Sequence, residues 1–182
     1  DAIFKESDGV WGAIDRPEVR LREIQSLLRK GESLLFYDMF GEIVFRCVVT
    51  NTQHICEVGI TNREQLEINI SEIRASVSVN TFGRPLEFPV EESALVYQAL
   101  FVGLEDIITS TDHLLIVPFP DHISLPFNAL IMESVDSKQH RWLGLEISIS
   151  VLPSMAMLVS ARQSRGQESP ENIFFGVGNP SI

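Results

Sequence analysis

The chain has 182 residues, 45% of them in the broad hydrophobic set and 21% charged, with a formal net charge of −11. The length suits one ordinary domain with a substantial buried core, and the composition excludes a disordered chain. The acidity argues against a nucleic-acid or anionic-membrane partner, since both require clustered Lys and Arg, and no basic group here exceeds Arg20/Arg22 or Arg29-Lys30.

Asp15, Pro17 and Glu18 supply a cap, a first-turn proline and a capping-box acid, and Leu21, Ile24 and Leu28 share a stripe up to Gly31. A helix of about 14 residues is expected there. Three β-rich runs follow at 33–40, 42–50 and 53–60, separated by Gly41 and Asn51-Thr52, which predict an antiparallel meander. Thr61 with Glu64 repeats the capping-box pattern ahead of Leu66, Ile70, Ile73 and Val77, a helix packed on that meander.

Residues 80–89, with Gly83, Pro85 and Pro89, form a loop and a weak boundary. A helix is expected over 91–105, with Tyr97, Leu100, Phe101 and Leu104 on one side and acids near its start, where the helix dipole favours them. The run HLLIV at 113–117 is wholly apolar, as in a strand covered on both faces, and Pro118 ends it. After an irregular piece come a strand at 146–152, a Pro153-Ser154 turn, a helix over 155–162, a polar linker and a last strand at 172–177. This order predicts an α/β fold in three layers, a sheet with helices on both faces preceded by the antiparallel meander.

The run VPFPDHISLPFNAL at 117–130, then VLPSMAML at 151–158 and FFGVGNP at 174–180, resembles the first half of a CHAT domain, the caspase-like module associated with tetratricopeptide repeats. ESLLFYDMF and EIVFRCVVT within 32–50 look like that family's opening hairpin, and SALVYQALFVGLEDII at 93–108 like the helix before its apolar strand. The likeness covers nearly everything from Arg20 onward. It implies a caspase/Rossmann-like sheet related to the clan CD cysteine peptidases, downstream of helical repeats that sense a partner.

The chemistry of that family needs a His-Gly after one strand and a Cys after the next, because a thiolate nucleophile requires a neighbouring imidazole and backbone N–H donors for the oxyanion. In the family both lie beyond the point matching Pro180. None of His54, His113, His122 and His140 precedes Gly, so no catalytic residue is carried over. The resemblance thus implies the amino-terminal, pseudo-protease half; the alternatives are a CHAT-like adaptor module with no protease activity and a small-molecule-binding α/β domain with a pocket near Asp121, His122 and Gly176 to Asn179. Residues 1–15 are expected to be an extension from an upstream region, possibly of helical repeats, and 16–182 a CHAT-like half whose chain is part of something longer. The partners implied are a carboxy-terminal catalytic half of the same protein and an upstream repeat or sensor region.

Other candidates have ordinary readings. His54 and Cys56 share a strand face and could pair, yet no third group orients the imidazole, so a small buried thiol beside a rim histidine is expected. Four scattered histidines and two cysteines nine apart match no zinc spacing, and neither metal nor cofactor is expected. Asp121 and His122 follow the most apolar strand, where open α/β sheets place ligands, which makes them an acid/base candidate. The plainer reading is that Phe119, Leu125, Pro126 and Phe127 plug the end of the sheet while Asp121 shapes a turn.

Ser154 has the setting of a nucleophile elbow without its glycines, and a helix cap is expected instead. Gly176 to Asn179 give G-x-G after a strand but lack the third glycine, so a turn is expected rather than a phosphate loop. Among the large aromatics, Trp11 lies in an apolar segment with Ile3, Phe4 and Val10 that should dock on whatever precedes it, and Trp142 is an interface candidate. Glu87, Glu91, Glu92, Glu105 and Asp106 are read as a solvated face. Residues 147–161 form the longest uncharged stretch, which is too short to span a bilayer. With so few cysteines a reducing cytoplasm is the expected compartment.

Overall fold

Strand β1 (Glu32–Phe40) is buried at almost every position because both its faces are covered, so it stands at the centre of the molecule. A computed structural model describes residues 20–78, 86–134 and 139–163. On one side β1 pairs antiparallel with β2 (Ile43–Thr50), and β2 pairs antiparallel with β3 (His54–Ile60), which is the predicted meander. On the other side β1 pairs parallel with β4 (His113–Val117), and β4 pairs parallel with β7 (Ser148–Val151). The meander and the parallel strands are therefore one five-stranded mixed sheet, in the order β3-β2-β1-β4-β7.

Alternation along the strands assigns the two faces. Leu35, Tyr37, Met39, Val44, Val48, Leu114 and Ile116 share one face and form the larger core. Over it lie α2 (Arg63–Val77), α3 (Val90–Phe101) and α4 (Glu105–Thr109), through Leu66, Ile70, Ile73, Val96, Leu100, Phe101 and Ile108. The opposite face presents Leu34, Phe36, Cys47, Val49 and Leu115 to α1 (Leu21–Leu27) and α6 (Met155–Gln163), through Ile24, Leu28 and Leu158. The fold is mixed α/β with helices on both faces of the sheet, as the element order implies.

Several boundaries differ from the sequence expectation. Helix α1 spans seven residues and starts at Leu21, where Arg20 provides no side-chain cap; the Asp15 cap falls outside the described residues. The cap of α2 is Asn62, one residue past the predicted Thr61, because its Oδ1 accepts from the Gln65 amide at 3.0 Å. Val77, expected in the core stripe, sits exposed in the last turn, while Asn69 is buried and accepts from Gln65 Nε2. Helix α3 stops at Phe101 rather than running to residue 105, since Gly103 takes a φ of +84°. That backbone region favours glycine, so the expected helix ends early, and a separate short helix, α4, begins at Glu105 where it was expected to stop.

The irregular piece after β4 contains two 3-10 turns, Pro120–His122 and Phe127–Ala129, and a hairpin of β5 (Ile131–Ser134) and β6 (His140–Trp142) that the sequence pattern did not announce. The predicted strand over 146–152 begins only at Ser148, because Leu143–Glu146 forms a helical turn, α5. Ser154 Oγ accepts from the Met157 amide at 3.4 Å, which is the expected capping role. The predicted strand at 172–177, the Gly176 to Asn179 turn, Trp11 and the polar linker lie outside the described residues.

Tyr97 stacks on Phe101 at 4.9 Å between ring centroids, and its buried hydroxyl has no hydrogen-bond partner among the described residues. Burial, with a smaller contribution from Glu105, raises its pKa to about 12. A buried hydroxyl without a partner carries an uncompensated desolvation cost, so Tyr97→Phe should be neutral or stabilising by up to ~1 kcal/mol. Urea unfolding of the two proteins checks this; a loss of stability would mean that the hydroxyl has a partner.

Candidate functional site

The segment after β4 turns back over the end of the sheet and brings His122 against β1 and α2. Phe119 sets the turn, and the His122 amide donates to the Phe119 carbonyl at 2.8 Å. Leu125 and Phe127 are buried beneath it, the predicted plug. The His122 side chain is 0% exposed. Its Nε2 lies 2.9 Å from Glu67 Oε1 on α2, and its Nδ1 lies 3.1 Å from Tyr37 Oη on β1.

Hydrogen-bond chemistry assigns the protons in this chain of three groups. The Glu67 carboxylate can only accept, so Nε2 carries the hydrogen and Nδ1 keeps a lone pair, which accepts from the Tyr37 hydroxyl. Burial lowers the His122 pKa, against the opposing effects of its hydrogen bond to Glu67 and that carboxylate's charge. Burial likewise raises the Tyr37 pKa well above its ordinary value, and Glu67 adds to the effect. Both groups are therefore neutral near pH 7. Aromatic edges enclose the imidazole, with Phe119 at 5.4 Å and Tyr37 at 5.7 Å between centroids.

Asp121 points the other way. Its side chain is 67% exposed and lies 3.8 Å from the Arg63 guanidinium, which also sits over the Phe119 ring at 5.2 Å. The Asp121 carbonyl accepts from Arg74 Nη2 at 2.6 Å. Arg63 and Arg74 on α2 therefore hold the turn from outside while Glu67 holds it from within. The Asp121 and His122 side chains do not meet, and the residue that orients the imidazole is Glu67.

Tyr37-His122-Glu67 has the connectivity of a nucleophile, base and orienting acid, but its chemistry is closed. A general base must come within hydrogen-bond reach of a substrate proton, and the His122 ring has no surface to offer one. Tyr37, buried and held protonated, is a poor nucleophile. What the arrangement does is join β1, α2 and the β4 exit through two hydrogen bonds, a buried one to Tyr37 and a part-buried one to Glu67. Tyr37 and Glu67 were not legible as site residues. The available signal is the spacing Arg63, Glu67, Ile70, Arg74, which sets polar groups beside the apolar stripe of α2.

The other candidates separate in the same way. His54 is exposed and makes no side-chain hydrogen bond among the described residues, and Cys56 is not a free thiol: it is bonded to Cys47. The expected small buried thiol is corrected, because the β2–β3 register puts the two cysteines directly opposite. Trp142 is half-buried against Phe88, with centroids 5.1 Å apart. Glu91 and Glu92 sit in the first turn of α3, and Glu105 and Asp106 in that of α4; Glu105 accepts from the Gly103 amide at 2.7 Å. Of the acids expected to form a solvated face, Glu87, Glu91 and Asp106 are exposed, while Glu92 and Glu105 are half-buried.

An open groove of about 730 Å³ lies away from His122, lined by residues including Asn128, Trp142, Leu145 and Ile149 along β7. Among the described residues no group of three His, Cys, Asp or Glu side chains could hold a metal ion. No helix among them is long and apolar enough to cross a membrane. No family model matches the chain, and no curated protein matches it.

Proposed function

We propose that this chain is the non-catalytic, pseudo-protease half of a CHAT-type caspase-like cysteine peptidase, which scaffolds the catalytic half and links it to an upstream sensor region. The observation that carries the reading is the sealed state of His122. The run at 117–130, one of those that resemble the family, contains a plug in which the histidine is consumed by Tyr37 and Glu67, so the segment acts through its shape. The parallel set β1, β4 and β7 supports it too, with β7 at the edge of the sheet among the described residues, where further parallel strands can add. The mechanism is positional: a nucleophile, its base and the oxyanion donors must be held within a fraction of an ångström, and a wall packed against them can move them together. A cytoplasmic location belongs to the same proposal.

The test is to express the segment with and without its natural continuation and to assay peptide cleavage. Cleavage only in the longer protein is expected. Cleavage by the segment alone would overturn the reading.

A second reading is an adaptor module with no peptidase half. It is favoured by Phe40, Ile43 and Ile60, which lie in register across β1, β2 and β3 with Ile60 83% exposed. An apolar cluster of this kind suits a protein partner. A continuation lacking a His-Gly and a later Cys would decide for the adaptor.

A further inference from the structure

Cys47 and Cys56 are directly opposed on β2 and β3, with Cα atoms 4.1 Å apart and their sulfurs bonded. They are the only cysteines in the sequence, so neither has an intramolecular competitor. Cys47 is 1% exposed, beneath Phe36, Phe45 and the α1–α6 layer. Cys56 is half-buried on β3, whose outer edge has no strand partner among the described residues, and its neighbours His54, Ile55 and Val58 are exposed. One cysteine is thus partly exposed at the margin of the core and the other shielded within it.

We propose that Cys47–Cys56 is a reversible oxidation site that exchanges with a low-molecular-weight disulfide of the oxidised-glutathione class. The Cys56 thiolate attacks one sulfur of the oxidant, forms a mixed disulfide and releases one thiol. The Cys47 thiolate then attacks the Cys56 sulfur, closes the intramolecular bond and releases the second thiol. Two protein thiols lose two electrons and two protons, and the oxidant disulfide becomes two thiols. A half-buried attacking cysteine beside a shielded resolving one is the arrangement this sequence of steps requires.

The ladder explains why the bond can open without unfolding the domain. Residues 43–49 of β2 pair continuously with 54–60 of β3, so the two cysteines stay opposed whether or not they are joined. The bond closes a short loop and constrains the unfolded chain comparatively little. Its effect falls on β3, which leads through Thr61 into α2, the helix that carries Glu67. In the oxidised form a covalent tie adds to the ladder; in the reduced form β3 is held by hydrogen bonds and packing alone.

The experiment equilibrates the purified wild-type chain in glutathione buffers from wholly reduced to wholly oxidised, then quenches and alkylates. Intact mass should pass from two alkylated thiols to none at an intermediate ratio, with a mixed disulfide on Cys56 trapped early in oxidation. Hydrogen exchange of the 54–60 amides should be at least about ten-fold faster in the reduced form, with the α3 amides unchanged. Cys47→Ser should retain the glutathione adduct on Cys56 and be unable to resolve it. Thiols that stay free in wholly oxidised glutathione would overturn the proposal. So would a bond that persists in wholly reduced glutathione, or equal 54–60 exchange in both forms.

Discussion

His122→Ala should destabilise the domain by about 3–4 kcal/mol, measured as the shift in urea midpoint at constant slope. The substitution strands two groups at once. Tyr37 Oη, buried in the sheet face, loses its acceptor, and Glu67 loses the N–H that neutralised part of its desolvation. It also leaves a cavity beside the Phe119 and Tyr37 rings, which adds to the loss. Tyr37→Phe removes a donor and leaves only the Nδ1 lone pair unsatisfied, so about 1 kcal/mol is expected. A double-mutant cycle over Tyr37 and His122 should give a coupling of the same order. If His122→Ala is nearly silent, the three groups do not hold the turn, and the case for a sealed histidine fails with it.

The same residue sets a pH dependence with a definite sign. Its folded pKa lies below the ordinary value near 6.5, so in the acidic range the unfolded chain binds the proton more readily than the folded one. Stability from the neutral imidazole is complete above about pH 6.5 and is lost as the pH falls from there through the lowered folded value. The wild type should therefore lose stability on acidification below about pH 6.5. His122→Gln should lack that part of the slope, because its amide does not titrate in this range.

The second large effect concerns the attachment of α6. Glu32, 7% exposed at the start of β1, accepts from Arg162 Nη2 at 2.8 Å on both carboxylate oxygens and from the Arg29 amide at 2.9 Å. Arg162 is 15% exposed, so removing its partner leaves a guanidinium largely withdrawn from water. Glu32→Ala should cost about 2–3 kcal/mol, below the range for fully buried pairs because α6 can swing part of the charge into solvent. The Arg29 guanidinium, at 3.9 Å and half exposed, is too loosely placed to substitute. Arg162→Ala should cost less than Glu32→Ala, since the carboxylate keeps the Arg29 amide. Equal losses in the two single variants would show that the amide contributes nothing.

The two readings of the segment after β4 show where inference from sequence stops. Its apolar residues could be assigned to the sheet's end because Leu125 and Phe127 have few other places to go once β4 is a central strand. The histidine could not be assigned, since its partners come from positions 37 and 67. The cysteines fail for the same reason: their spacing is short, but their bond depends on the β2–β3 register, and one residue of slip would turn them to opposite faces. The β5–β6 hairpin escaped notice because its strands are three or four residues long, too short for alternation to stand out.

Local chemistry alone determined the meander, the apolar strand at 113–117, the core faces of α2 and α3 and the capping role of Ser154. Each depends on residues within a turn or two of one another, where periodicity and backbone propensity act directly. Tertiary structure alone decided that the meander and the parallel strands merge through β1, that Tyr37 and Glu67 close around His122, and that Cys47 meets Cys56. Those outcomes depend on which distant groups share a buried space, and desolvation there leaves each polar atom only the partners that the packing brings to it.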